Sequence, residues 1–158
     1  MNNTKKITLT ALFIALIALS IAYLFHIPFG AQGYFHLGDS FIFIASVMLP
    51  LPYSVIAAAI GGALGDILSG GYVWAIWTLV IKGVIAFSFS YKSMFISKRN
   101  IFALVIALFI TLGGYYIAEG VITGNFVVAL TSLWGNAAQW FFSAAVYLIV
   151  GKILDKRG

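Results

Sequence analysis

Asn136 and Gln139 stand three residues apart in a long apolar run, so a helix there would carry two carboxamides on one side. Each carboxamide offers donors and an acceptor, and the pair suits the edge of a heteroaromatic ring. Ser132 and Ser143 extend that stripe at steps of four, three and four. In the preceding run Thr111, Tyr115 and Glu119 follow at four-residue steps. Further upstream Trp74 and Thr78 share a face, with Lys82 one turn along, and aromatic faces can stack on a bound ring. His36 and Asp39 end a polar, aromatic segment that contains Pro28, Gly30, Gln32, Gly33 and Gly38. The candidate substrate contacts are therefore Asn136, Gln139, Glu119, Tyr115, Trp74, Thr78, His36 and Asp39, and the segment before Asp39 is placed as a lid.

This is binding chemistry rather than catalysis. The chain has no Ser/His/Asp set, no His-Glu-x-x-His run and no Cys or His cluster with metal-ligand spacing. Gly151-Lys152 lacks the upstream glycine and the following Ser or Thr of a phosphate-cradling loop. No enzyme, resident cofactor or metal is expected, and any ATP would be used by a partner ATPase. The absence of cysteine excludes disulfide and thiol chemistry.

The elements that must position these residues follow from composition. Of 158 residues 63% are hydrophobic and 8% charged, whereas soluble domains carry about 25% charged residues. The chain is expected to be an integral membrane protein, one all-α domain over residues 1–158. A span needs about 20 apolar residues, leaving room for about six with short loops. The runs are Ile7 to Phe25, Ser40 to Leu49, Ser54 to Ile67, Val73 to Tyr91, Ile101 to Ala118 and Phe126 to Val150, with Glu119 to Asn125 read as a loop. Pro50-Leu51-Pro52 ends the second.

Basic residues fall at three places: Lys5 and Lys6; Lys92, Lys98 and Arg99; Lys152, Lys156 and Arg157. Placing these on the cytoplasmic side puts both termini and the fourth connector inside. The net charge of +5 thus reflects orientation in the membrane, not nucleic-acid binding. Cleavage of the first span as a signal peptide is disfavoured, because its apolar run exceeds the usual 7–15 residues. Asn136 would then lie about 15 Å, and Gln139 about 20 Å, below the outer end of the sixth helix.

Ala11, Ala15, Ala18 and Ala22 form a small-residue strip on the first helix, and Ala57, Gly61 and Gly65 form one on the third. Such strips let helices approach closely; the third serves the bundle, and the first serves either the bundle or a partner protein. A lysine at mid-span must pair, and Asp66 is the expected partner of Lys82 if the third and fourth helices form a hairpin. Structural alternatives exist: Asp39 as an N-cap, His36 as a solvated loop residue, Asn136 and Gln139 as interhelical hydrogen-bonding groups.

Gly38-Asp39-Ser40-Phe41-Ile42-Phe43, Gly61-Gly62-Ala63-Leu64-Gly65-Asp66 and Ile81-Lys82-Gly83, in this order and topology, resemble motifs of the S components of energy-coupling factor (ECF) transporters. The Ala11/Ala15 and Ala18/Ala22 strip resembles the motif by which their first helix docks on the coupling subunit. Trp134-Gly135-Asn136-Ala137-Ala138-Gln139 resembles the sixth helix of the hydroxymethylpyrimidine and pyridoxine branch. The resemblance implies a six-helix vitamin-binding subunit in the bacterial plasma membrane. It would associate with a transmembrane coupling (T) subunit and two cytoplasmic ATPases, and topple in the membrane to release substrate inside. The competing class is a self-sufficient proton- or sodium-coupled transporter that uses Glu119, Asp66 or Asp39 as carriers. An intramembrane enzyme or purely structural subunit would leave the polar stripes without a purpose.

Overall fold

A computed structural model describes residues 1–24, 27–29, 33–91 and 93–156. Phe25, His26, Gly30, Gln32, Lys92 and Arg157, assigned above to a span end, the lid segment and the basic ends, lie outside the described residues. Six helices carry the fold: α1 (Asn3–Ala22), α2 (Gly38–Met48), α3 (Tyr53–Leu68), α4 (Ala75–Phe87), α5 (Lys98–Thr123) and α6 (Phe126–Asp155). Between α1 and α2, β1 (Ile27–Phe29) pairs antiparallel with β2 (Gly33–Phe35), Ile27 opposite Phe35. The all-α expectation thus holds for the bundle but omits this hairpin. Three-residue strands carry too short an alternation to register as strands in sequence.

Among the described residues, α1, α5 and α6 are the helices long and apolar enough to cross a membrane by length and composition. Of the six expected helices, three are thus long and three are shorter and apolar. At 11, 16 and 13 residues, α2, α3 and α4 rise about 16, 24 and 20 Å. The sides of the helices are largely apolar, with Leu12, Leu19, Ile60, Ile76, Phe102, Phe109 and Phe141 exposed. A surface of this kind is lipid-facing, and the chain is an integral membrane protein.

Helix ends differ from the sequence reading where side chains cap the backbone. The Asn2 carboxamide accepts from Lys5 N–H, so α1 starts at Asn3 and contains both lysines. The expected loop from Glu119 to Asn125 shrinks to a turn, because α5 continues to Thr123. Gly124 there adopts φ 65°, a left-handed conformation that glycine accepts without strain. Asn125 then accepts from Val127 and Val128 N–H and starts α6.

Packing divides the bundle in two. Helices α2, α4, α5 and α6 each pack on the next, α2 on α4, α4 on α5, α5 on α6 and α6 on α2, which closes a ring. Helices α1 and α3 pair on its flank, and α3 also packs on α2 and α4. Glycines make α3 thin on both sides. A Cβ at Gly61 would come within 2.9 Å of Ile17 on α1, one at Gly65 within 2.6 Å of Ile21, and one at Gly62 within 2.9 Å of Thr78 on α4.

At the end where α4 finishes and α5 begins, aromatics plug the ring. Phe43 stacks on Phe89 at 5.5 Å, and Tyr147 meets the rings of Phe43, Phe89 and Phe95 at 6.0 Å each. The non-helical connector there is pinned through its backbone. Asp155 accepts from Phe95 and Ile96 N–H, both at 2.8 Å. Tyr147 donates to the Phe95 carbonyl at 2.7 Å, and Asn100 donates to the Met94 carbonyl and accepts from Ser90 N–H. Asp155, which stands among the basic residues of the C-terminal end, is thus a structural acceptor for the connector.

Gly65→Ala should destabilise the protein by about 1–3 kcal/mol, because the added methyl overlaps buried Ile21. At Gly113, where a Cβ would meet nothing within 4 Å, the same substitution should be neutral or stabilising by up to about 1 kcal/mol. Thermal unfolding of both variants in detergent checks the pair; equal effects would contradict the α1–α3 packing.

Candidate functional site

The axis of the four-helix ring is polar. Asp39 lies in the first turn of α2, where a negative charge is favoured by the helix dipole. Its carboxylate does not cap the helix, as one reading above had it. One oxygen lies 2.6 Å from Lys82 Nζ, and both side chains are fully buried. The other oxygen accepts from Gln139 Nε2 at 3.2 Å. One carboxylate therefore ties α2 to α4 and to α6.

This corrects the expected Asp66–Lys82 pair. The third and fourth helices do pack together, but Asp39 reaches the ammonium directly, because α2 starts inside the ring. Asp66, also buried, lies near enough to act electrostatically on Lys82. Gly62 makes room for the lysine stem, whose Cγ is 3.1 Å from where a Cβ would stand.

The next layer joins α4 to α5. The Thr78 and Tyr115 hydroxyls share a 3.0 Å hydrogen bond, and the Tyr115 ring receives Lys82 Nζ at 5.1 Å from its centre. Trp74 lies one turn before Thr78 and meets the Tyr115 ring at 6.3 Å between centroids. His36, 5% exposed, accepts from Gly38 N–H through Nδ1 and acts electrostatically on Asp39. It is a buried residue at the start of α2, not a solvated one.

The structure thus connects Trp74, Thr78, Tyr115, Gln139, Asp39 and His36, with Lys82 at their centre. Glu119 and Asn136 are not joined to them. Both are partly exposed on their helices, and neither makes a side-chain hydrogen bond with the described residues. The Thr111–Tyr115–Glu119 stripe survives, since α5 continues through Glu119, but only Thr111 is fully buried. Sequence reasoning passed over Thr111 and Ser143 as site residues, although both stand in the stripes; each is fully buried.

The small-residue strip of α1 splits. Ala11 and Ala15 are exposed, whereas Ala18 and Ala22 are buried within the chain. The strip winds around the helix, and its second half faces the bundle.

Lys82→Met should destabilise the protein by about 3–5 kcal/mol, since it leaves Asp39 charged and unpaired in the interior. Adding Asp39→Asn should restore most of that loss, because no charge remains to be buried. Unfolding midpoints of wild type, both single variants and the double variant test this; a double variant as unstable as Lys82→Met would contradict the pairing.

The family model described as "ECF-type riboflavin transporter, S component" matches residues 1–156. No individual curated protein matches the chain. The expected hydroxymethylpyrimidine and pyridoxine branch finds no support in the match, whose description names riboflavin.

Proposed function

The chain belongs to the ECF-type riboflavin transporter S component family, and on that premise we propose that it captures a flavin for import. At the level of the family it is a substrate-specific membrane subunit of an ECF transporter and not an enzyme. The observation that carries the finer reading is the polar ring axis beneath the Trp74–Tyr115 aromatic pair. A flavin presents an extended aromatic face and an uncharged edge of alternating donors and acceptors. Aromatic side chains suit the face, and the Gln139 carboxamide suits the edge. The Asp39–Lys82 pair is self-neutralising, which favours a neutral ligand over an ion.

The same reading places the cytoplasmic ends at the basic residues, with capture at the opposite face of the plasma membrane. Release follows docking on a transmembrane coupling subunit driven by two ATPases, with the body toppling in the bilayer. Ala11 and Ala15 on the exposed face of α1 form the docking contact, whereas Ala18 and Ala22 pack internally. Asp39, held by Lys82 and Gln139, is a poor proton carrier, which weighs against a stand-alone proton-coupled transporter.

Titration of riboflavin with the purified protein in detergent should quench flavin fluorescence saturably at one-to-one stoichiometry, without ATP. Gln139→Ala should weaken this by tenfold or more, since losing a buried hydrogen bond costs about 1–3 kcal/mol. A heat signal with hydroxymethylpyrimidine or pyridoxine, and none with riboflavin, would overturn the flavin assignment. Ala15→Phe should leave riboflavin binding intact while abolishing co-purification with the coupling subunit; retained assembly would remove α1 from the docking surface.

A further inference from the structure

Many hydroxyls on these helices are satisfied locally. Ser46, Ser88, Thr123, Thr131 and Ser132 return their hydrogen bonds to carbonyls of their own helices or caps, at 2.7–2.9 Å. Thr111 and Ser143 do not. Both are fully buried, and neither hydroxyl oxygen has a hydrogen-bond partner among the described residues, a state they share with Ser20 on α1 and Ser40 on α2. A buried hydroxyl left unmade is costly, so such exceptions ask for an explanation.

Register shows at what level they stand. Thr78 bonds Tyr115 across the antiparallel α4–α5 seam. One turn deeper on each helix come Lys82 and Thr111, so Thr111 stands level with Lys82 on the inward face of α5. Ser143 is one turn beyond Gln139, which bonds Asp39, and one turn before Tyr147, which belongs to the aromatic plug. The two buried residues therefore stand at levels from that of the ion pair to just short of the aromatic plug. They come from α5 and α6, the two ring helices that do not supply the ion pair.

We propose that Thr111 and Ser143 are specificity-determining residues, forming the polar base of the capture cavity and hydrogen-bonding the uncharged edge of the ligand. The proposal rests on the flavin reading for the ligand's identity, but not for the location of the subsite. A hydroxyl both donates and accepts, so the pair can serve an edge that alternates the two. Cations are disfavoured there, because Lys82 already holds the charge of Asp39.

The test combines affinity with stability. Thr111→Val and Ser143→Ala remove a hydroxyl with little change of shape, and Thr111→Ser keeps it. Riboflavin affinity, read from flavin fluorescence, should fall at least tenfold in the first two variants and stay within about threefold of wild type in the third. Ser46→Ala, whose hydroxyl bonds the Ile42 carbonyl, should not change affinity. Without ligand, the unfolding temperatures of Thr111→Val and Ser143→Ala should equal or exceed that of wild type, because no protein partner is lost. Unchanged affinity in both variants, with wild type binding riboflavin, overturns this proposal and leaves the flavin reading standing. Failure of wild type to bind riboflavin overturns the flavin reading instead. The stability arm then decides: a lowered unfolding temperature means the hydroxyls serve the fold, and an equal or higher one supports the subsite.

Discussion

A lysine and a carboxylate buried together in a lipid-embedded bundle constrain everything around them. Taking two charges out of water costs several kcal/mol each, and only a close, well-supported pair offsets that. Here Asp39 meets Lys82 at 2.6 Å and uses its second oxygen on Gln139, so α2, α4 and α6 are fixed at one level. That level lies near the middle of α6, because Gln139 is well inside a 30-residue helix. Helix α2 must start there and run toward the aromatic plug, where Phe43 meets Tyr147. Its 11 residues cannot line the remaining half of α6. The β1–β2 hairpin precedes α2, and β2 packs on α6, with its strands' backbone groups paired to each other. Non-helical backbone among buried helices is tolerated when it satisfies itself in this way.

The rest of the packing keeps that level in place. On one flank, thin α3 lets α1 approach through Ile17 and Ile21 and gives the Lys82 stem its room through Gly62. At the far end, the Phe43–Phe89–Tyr147 plug excludes polar groups, and Asp155, Tyr147 and Asn100 hold the connector by its backbone. Each device uses a different residue type for a different reason: glycine for distance, aromatics for volume, and a carboxylate for unpaired N–H groups. The ion pair is enclosed although α2 and α4, the helices that supply it, are both short.

Much of this was legible in the chain, and the failures have physical causes. Period and composition gave the order of six helices, the polar stripes of α5 and α6, and the small-residue strip of α3. They could not choose between Asp39 and Asp66 for Lys82, since that depends on how deep α2 begins. Nor could they shorten α4 or extend α5 past Glu119, where an apolar run and a helix end at different residues. Glu119 and Asn136 stand in the stripes but make no side-chain hydrogen bond with the described residues, and spacing does not reveal which members of a stripe will be joined. Ala18 and Ala22 are buried while Ala11 and Ala15 are not, because a small-residue strip looks alike whether it meets its own bundle or another protein. The Asp155 contacts arise from residues about 60 positions away, and no local pattern encodes them.

The distribution of polarity also bears on how such a body could move. Its deep polar groups face one another or the ring axis, and its sides are covered by residues such as Ile76, Phe102, Phe109 and Phe141. Reorientation in a bilayer is opposed chiefly by polar surface that must be dragged through hydrocarbon, at several kcal/mol for each exposed charge. An ion pair sealed inside the ring travels with the body and keeps its partner, so tilting does not expose it. The lysines and arginine at the helix ends do resist tilting, and a docked partner that neutralises or shelters them would lower the barrier. On the proposed function, capture and movement would draw on the same feature. Hydrophilic groups gathered on an internal axis leave a ligand something to bind and leave the lipid only apolar sides to meet.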